Sequence, residues 1–316
     1  MGKVNSNLGM SRYDKLKNTA KKDGRFIPAV IEQYAYTGFL RRLAQSEWSD
    51  FFALKGGMMM IPITGNVSRP TQDVDLHGAK ELSLEELKSA LRDISAVDLG
   101  ENDDGVTFDI ENINPDKDRT DGEMISGAKV SFDAWVGKGK ARVRIDVGYE
   151  NAITPELKTV NFPGQLKEEG DVELEMYPIE TSISEKFRAM VYYGRSNSRL
   201  KDFFDIQTFR TLSDFDADIV ATALERSCAK FGFSMPPLDE IPALDTDPEN
   251  AENFRKQWQV FINKNKLDAT SFEQCQLEIR EFLAPVVDYM NDEGPNPGRW
   301  DPDTGWEIEN QYALAM

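Results

Sequence analysis

Residues 54–77, LKGGMMMIPITGNVSRPTQDVDLH, decide how the rest of the chain is read. They read as a strand, a Gly56-Gly57 turn, a short apolar helix through Met58–Ile61, a loop opened by Pro62 and Gly65, and a second strand at 72–77. Asp73 and Asp75 stand two residues apart on that strand, so their side chains share a face. Two carboxylates side by side repel unless a cation lies between them. An all-oxygen pair suits Mg²⁺, which binds through one or two carboxylates together with substrate phosphates. A Gly-Gly pair at a helix start offers bare backbone N–H groups to a phosphate. A phosphate cradle and a metal pair one short loop apart point to nucleotide chemistry.

Working outward, 27–47 carries Ile27, Val30, Ile31, Tyr34, Phe39, Leu40 and Leu43 at helical spacing, a helix to pack on a sheet. Phe51–Leu54 forms a short apolar strand. Residues 1–25 are polar and basic (Lys3, Arg12, Lys15, Lys17, Lys21, Lys22, Arg25) and read as a loosely ordered arm; the sharper reading is a contact with RNA or an acidic partner. On the other side, Ser83 and Glu86 make a capping box for a helix over 83–97. Strands are predicted at 105–113, 127–136 and 140–149. The last, ARVRIDVGYE, puts Val143, Ile145 and Val147 on one face and Arg142, Arg144 and Asp146 on the other. Residues 156–176 are mixed, with a turn at Pro163-Gly164. From 178 the pattern turns helical, with helices at 179–193, 199–211, 215–231, 249–265 and 271–290, an acidic Pro-rich linker at 233–248 and an irregular end at 291–316. Strands first and helices later give an α+β or α/β catalytic half and an all-α half. The expected division is a basic arm 1–25, a catalytic domain 26–177, a helical domain 178–290 and a tail 291–316.

The 316 residues suffice for one large or two ordinary domains, and 40% hydrophobic content suffices for a core. A net charge of −18 argues against wrapping nucleic acid broadly, although a local basic groove remains compatible with it. Cys228 and Cys275 are too few and too far apart for a zinc site or disulfide framework. No run of 18 apolar residues and no signal-like N-terminus is present, so a cytoplasmic protein without membrane spans or disulfides is expected.

Gly56-Gly57 alone fits an ordinary turn, and Asp73-x-Asp75 alone fits a solvated acidic turn. Joined by Asp146 from a later strand they point to metal binding, because a core does not keep unpaired carboxylates cheaply. A second constellation is ETSISEKFRAMVYYGRSNSRLKDFFDIQTF, residues 180–209. Lys186 there is either a helix-surface lysine or, with Arg199, a ligand of triphosphate oxygens; Arg195 and Lys201 add bases, and Asp202 and Asp205 share one helix face. His77, the single histidine, faces as Asp73 and Asp75 do and reads as a bystander at a strand end. Its solitude makes a Ser-His-Asp triad improbable. Met58–Met60 read as core filler, and Trp135 and Tyr149 as cleft-lining or packing residues.

KGG, RPTQDVDL, RIDVG and ISEKFRAMVYYGRSNSRLKDFFDI, spread over residues 28–210, resemble the AbiEii-type nucleotidyltransferase toxin family, related to the MenT toxins within the DNA polymerase β-like nucleotidyltransferase superfamily. The resemblance implies an α+β fold, a mixed sheet with flanking helices followed by an all-α C-terminal region. It implies nucleotidyl transfer from an NTP with Mg²⁺ or Mn²⁺, Asp73 and Asp75 as metal ligands, and Gly56-Gly57 as the phosphate turn. Lys186 and Asp202 match later functional positions, the choice between Asp202 and Asp205 staying open, and Lys55, Arg69, Thr71, Arg199, Lys201 and Asp205 complete the nucleotide set. It implies an RNA acceptor, the tRNA end for some members, and an antitoxin encoded nearby. One departure is Gly57, where many relatives have serine, so a hydroxyl contact to the triphosphate is missing.

The expected reaction is an in-line displacement with Asp73 and Asp75 bridging two metals, Asp146 completing one site and helping deprotonate the acceptor, and Lys186 and Arg199 countering the developing charge. Two competing readings are a small-molecule nucleotidyltransferase of the antibiotic-modifying type, favoured by the acidic charge, and a non-catalytic relative that binds a nucleotide or an antitoxin.

Overall fold

The computed structural model describes residues 7–65, 69–115, 127–149, 152–197, 199–245 and 248–307, with the side chains of Arg195 and of 248–251 outside that description. Lys3, the loop 66–68 and the end of the tail from 308 therefore lie outside the described residues. The chain divides into two compact units, Met1–Asn151 with Lys158–Met176, and Ala152–Leu157 with Tyr177–Met316.

The first unit begins with α1 (Asn7–Lys22) and α2 (Ile27–Ala44). β1 (Phe52–Lys55) runs into a 3₁₀ turn at Gly56–Met59 and the short α3 (Met60–Thr64). There follow β2 (Val74–Gly78), α4 (Leu84–Ser95), β3 (Val106–Phe108), β4 (Asn114–Pro115), β5 (Gly127–Val136), β6 (Gly139–Tyr149), β7 (Lys158–Phe162) and β8 (Val172–Met176). They make a mixed sheet of order β3-β5-β6-β2-β1-β8-β7, with β4 beside β5. β6 and β2 run parallel, as do β1 and β8; the other pairs are antiparallel.

Alternation in β6 sorts the two faces. Ala141, Val143, Ile145 and Val147 are buried, while Arg142, Arg144 and Asp146 are half-buried. α2 covers the apolar face, its Phe39 ring 6.2 Å from Phe132 of β5 and 6.4 Å from Phe108 of β3. Beside this cluster the Arg42 guanidinium is bidentate on Asp104, at 2.7 and 3.0 Å, with both side chains buried. α4 begins with the expected capping box, the Ser83 hydroxyl accepting from Glu86 N–H and Ser83 N–H donating to the Glu86 carboxylate.

Two readings of this half need correction. Residues 7–22 are a helix docked on the sheet, since Gly9 passes so close that a Cβ on Gly105 would lie 2.8 Å from its Cα. Arg12 and Lys15 also pair with Glu168. Within 156–176 lies the hairpin β7–β8, whose β8 pairs with β1.

The second unit holds α5 (Ile179–Tyr193), α6 (Leu200–Arg210), β9 (Phe215–Asp216), α7 (Ala217–Lys230), α8 (Pro248–Asn265), α9 (Phe272–Met290), β10 (Arg299–Asp301) and β11 (Gly305–Trp306). α5 packs on α6 and α7, and α6 on α8 and α9. Phe203, Phe254 and Phe272 fill the α6–α8–α9 core, Phe254 and Phe272 stacked at 5.4 Å. The region is not purely helical, and the stretch from 291 is not wholly irregular. β11, β10 and β9 form a small sheet. It is pinned by Trp300, whose Nε1–H donates to Arg210 O at 2.8 Å, and by Trp306, whose Nε1–H donates to Phe282 O at 2.8 Å.

Candidate active site

The polar face of the sheet carries one row of charges across four strands. Lys129 of β5 opposes Asp146 of β6, Asp146 stands in register with Asp75 of β2, and Asp75 opposes Lys55 of β1. Register partners present their side chains to the same face. The residues beside them in sequence, Val130, Ile145, Val147, Val74, Leu76 and Leu54, are fully buried on the other face. Alternation along four strands therefore delivers two carboxylates flanked by two ammonium groups.

Asp73, just before β2, joins this row. The Lys129 ammonium lies 3.3 Å from Asp146 Oδ2 and 4.0 Å from Asp73 Oδ2. The Thr71 hydroxyl donates to Asp73 Oδ1 at 3.3 Å and reaches the Asp73 carbonyl at 3.1 Å. The entry to the strand is anchored from α2 by Tyr36, whose hydroxyl donates to Gln72 O at 2.7 Å. Burial, with Glu32 nearby, pushes that phenol well above its ordinary pKa, so it stays a donor. Further along β5, burial works against the Asp133 carboxylate, but hydrogen bonds from Lys140 and Arg142 outweigh it and hold its pKa below the usual range.

The glycine turn closes against these groups. Gly56 has φ +67°, and a Cβ there would lie 2.0 Å from Asp75 Oδ2. A Cβ on Gly57 would lie 2.7 Å from Thr71 Oγ1 and 3.2 Å from Arg69 Nη1. Arg69 is buried. Thr71 Oγ1 thus takes up the space that a side chain at position 57 would need. Lys55, Gly56, Gly57, Arg69, Thr71, Asp73, Asp75 and Asp146 are brought together in this one unit.

The oxygen donors and the ammonium between Asp73 and Asp146 fit a divalent cation in kind. Among the described residues, however, no three Asp, Glu, His or Cys side chains close on one point. The expected convergence of three acids is in this structure a pair around Lys129, with Asp75 next in the row. Mutual repulsion explains it, because carboxylates gather only about a positive charge. Lys129 was missed from sequence, although the two-residue turn between Val136 and Gly139 fixes the register that sets it opposite Asp146. His77 continues β2 and is buried, Met58–Met60 are fully buried, and Tyr149 packs against Gly78.

The other expected residues lie in the second unit. Lys186 of α5 is 2.8 Å from Asp205 Oδ2 and 3.3 Å from Asp202 Oδ1. Arg199 Nε donates to Asp202 Oδ2 at 2.7 Å. Asp202 and Asp205 are fully buried and Lys186 nearly so, whereas the Arg199 side chain is half exposed. Lys186 is therefore not a surface lysine: it pairs with two buried acids and ties α5 to α6. Both acids serve this group, Asp205 by the shorter contact. Lys201 is half-buried in the first turn of α6.

A family described as nucleotidyl transferase AbiEii toxin, type IV TA system, matches residues 38–281, so the likeness extends beyond residue 210 into the later helices. No curated protein sequence matches the chain. Among solved structures, the nucleotidyltransferase toxin MenT4 from Mycobacterium tuberculosis is similar at 17% identity, over 89% of this chain and 99% of that one, with a TM-score of 0.49. JHP933 from Helicobacter pylori is similar at 14% identity, over 83% and 91%, with a TM-score of 0.46. Among the described residues no helix is long and apolar enough to cross a membrane, and Cys228 and Cys275 are free, buried thiols.

Proposed function

This chain belongs to the AbiEii nucleotidyl transferase toxin family and is a nucleotidyltransferase, and we propose that it moves a nucleoside monophosphate from an NTP onto RNA, with tRNA as the acceptor to test first. The observation that carries the reading is the four-strand row of Lys129, Asp146, Asp75 and Lys55, with Asp73 beside it and the Gly56-Gly57 turn against it.

Nucleotidyltransferases act on an NTP with a divalent cation; here Asp73, Asp75 and Asp146 are the residues that would hold it, as Mg²⁺ or Mn²⁺. Such an ion supplies charge at the α-phosphate and lowers the pKa of a nearby hydroxyl. The protein's own groups do the rest. Thr71 holds the Asp73 carboxylate in place. Gly56 and Gly57 put no side chain over their backbone N–H groups, which would donate to the triphosphate, and Lys55 and Arg69 would bring positive charge to it. Asp146 takes the proton of the attacking hydroxyl as its oxygen bonds to the α-phosphorus and the bond to pyrophosphate breaks. The RNA acceptor draws support from α1, whose Lys21 and Lys22 are exposed and Lys17 half-buried, with the half-buried Arg25 just after it, a local cluster of basic residues on a chain of net charge −18. Within the second unit, Lys186, Asp202 and Asp205 hold α5 against α6, and the role in transfer that the resemblance implies for them is kept as a proposal. The family description further suggests a toxin paired with an antitoxin.

Incubation with α-labelled NTP, Mg²⁺ and either total tRNA or aminoglycosides tests the reading. Label on tRNA that vanishes with Asp75→Asn supports it. Label only on the small molecules, or label unaffected by Asp75→Asn, overturns it.

A further inference from the structure

The polar face of the β5–β6 hairpin holds several ion pairs. Asp133 is matched by Lys140 at 2.7 Å and by Arg142 at 2.9 Å. Lys129 looks like one more such pair with Asp146, but its surroundings differ. Its ammonium is shared by a second carboxylate, Asp73, and a third, Asp75, stands in register beside Asp146. A positive charge within about 4 Å of two such groups occupies the place that the proposed divalent ion would take. The Lys129 side chain is also one-third exposed, against 9% for Lys186, so it has solvent to move into.

We propose that Lys129 is a built-in counter-ion of the active site: its ammonium stands in for the divalent cation when no nucleotide is bound and competes with that cation for Asp73 and Asp146. In consequence the free ion binds weakly to the protein alone, and it is taken up together with the triphosphate, whose oxygens give the displaced ammonium a new partner. Lys129 is thus a positioning residue that couples metal uptake to nucleotide binding. This rests on Asp73 and Asp146 being metal ligands.

The test uses the full-length protein and Mn²⁺ alone, with free ion read by electron paramagnetic resonance at fixed ionic strength. Lys129→Met is expected to bind Mn²⁺ about ten-fold tighter than the unaltered protein, a size suited to one partly exposed charge. Lys129→Arg, which keeps the charge, is expected to bind as the unaltered protein does, and Asp146→Asn to abolish the gain. Lys129→Gln and metal-free thermal unfolding guard against a folding defect. If Lys129→Met and Lys129→Gln bind Mn²⁺ no more tightly while Asp146→Asn weakens binding, the counter-ion role is refuted and the metal assignment stands. If Asp146→Asn leaves Mn²⁺ binding unchanged, the metal assignment itself fails and this inference with it.

Discussion

Gly56→Ala separates the fold from the chemistry. Two costs are written into the position. Its φ of +67° is a conformation that costs an L-residue about 1–2 kcal/mol. The new methyl would also meet Asp75 Oδ2 at 2.0 Å, so the carboxylate must retreat to at least about 3.4 Å, the near edge of ordinary contact. A catalytic group misplaced by about 1 Å loses on the order of 10²-fold in rate. Gly100→Ala is the matched control, with φ +57° in the same unit and nothing within 4 Å of its Cβ. Gly100→Ala is expected to lose about 1–2 kcal/mol in denaturant unfolding, and Gly56→Ala more, because its methyl also meets Asp75 Cβ at 2.7 Å. Only Gly56→Ala is expected to lose about 10²-fold in nucleotide transfer per folded molecule. Equal activity in the two variants would refute the placement of Asp75 at the reaction centre.

Lys186→Met is expected to unfold more readily by about 3–5 kcal/mol, because the buried Asp202 and Asp205 then lose the ammonium they share; chemical denaturation reads it. Ser83→Ala is expected to cost about 1 kcal/mol through loss of the α4 cap, read as a lowered unfolding midpoint. Burial raises the Cys228 thiol from 9.0 to about 11, so it stays protonated and slow to alkylate at pH 8. A raised folded-state pKa gives stability that is complete below pH 9 and fades as pH climbs toward about 11, so unfolding midpoints should fall across that window and less so in Cys228→Ala.

How much of this was legible in the sequence depended on how each residue signals. α5, α9 and the β5–β6 hairpin announce themselves by long periodic burial, and their ends match the reading within a residue or two. α1 did not, because it buries only Gly9, Leu16 and Ala20, and a glycine used for close approach carries no apolar mark. β7 and β8 are five residues each, set among Pro, Gly and Glu, and β8 becomes a strand through its pairing with β1. The small sheet of β9–β11 rests on Trp300 and Trp306, which lie in a Pro- and Gly-rich stretch that reads as loop. At the site, Asp73, Asp75 and the glycine pair are neighbours in sequence and could be read directly. Lys129 acts across a strand pair, and only the register shows which carboxylate it faces.

The central claim is that Asp73, Asp75 and Asp146 take up a divalent cation with a nucleotide. Anomalous diffraction from crystals grown with Mn²⁺ and a non-hydrolysable NTP tests it most directly. The account predicts a peak about 2 Å from oxygens of these three carboxylates, with the Lys129 ammonium no longer between Asp73 and Asp146. Mn²⁺ bound elsewhere, or the nucleotide bound with Lys129 still in place on both acids, would contradict it.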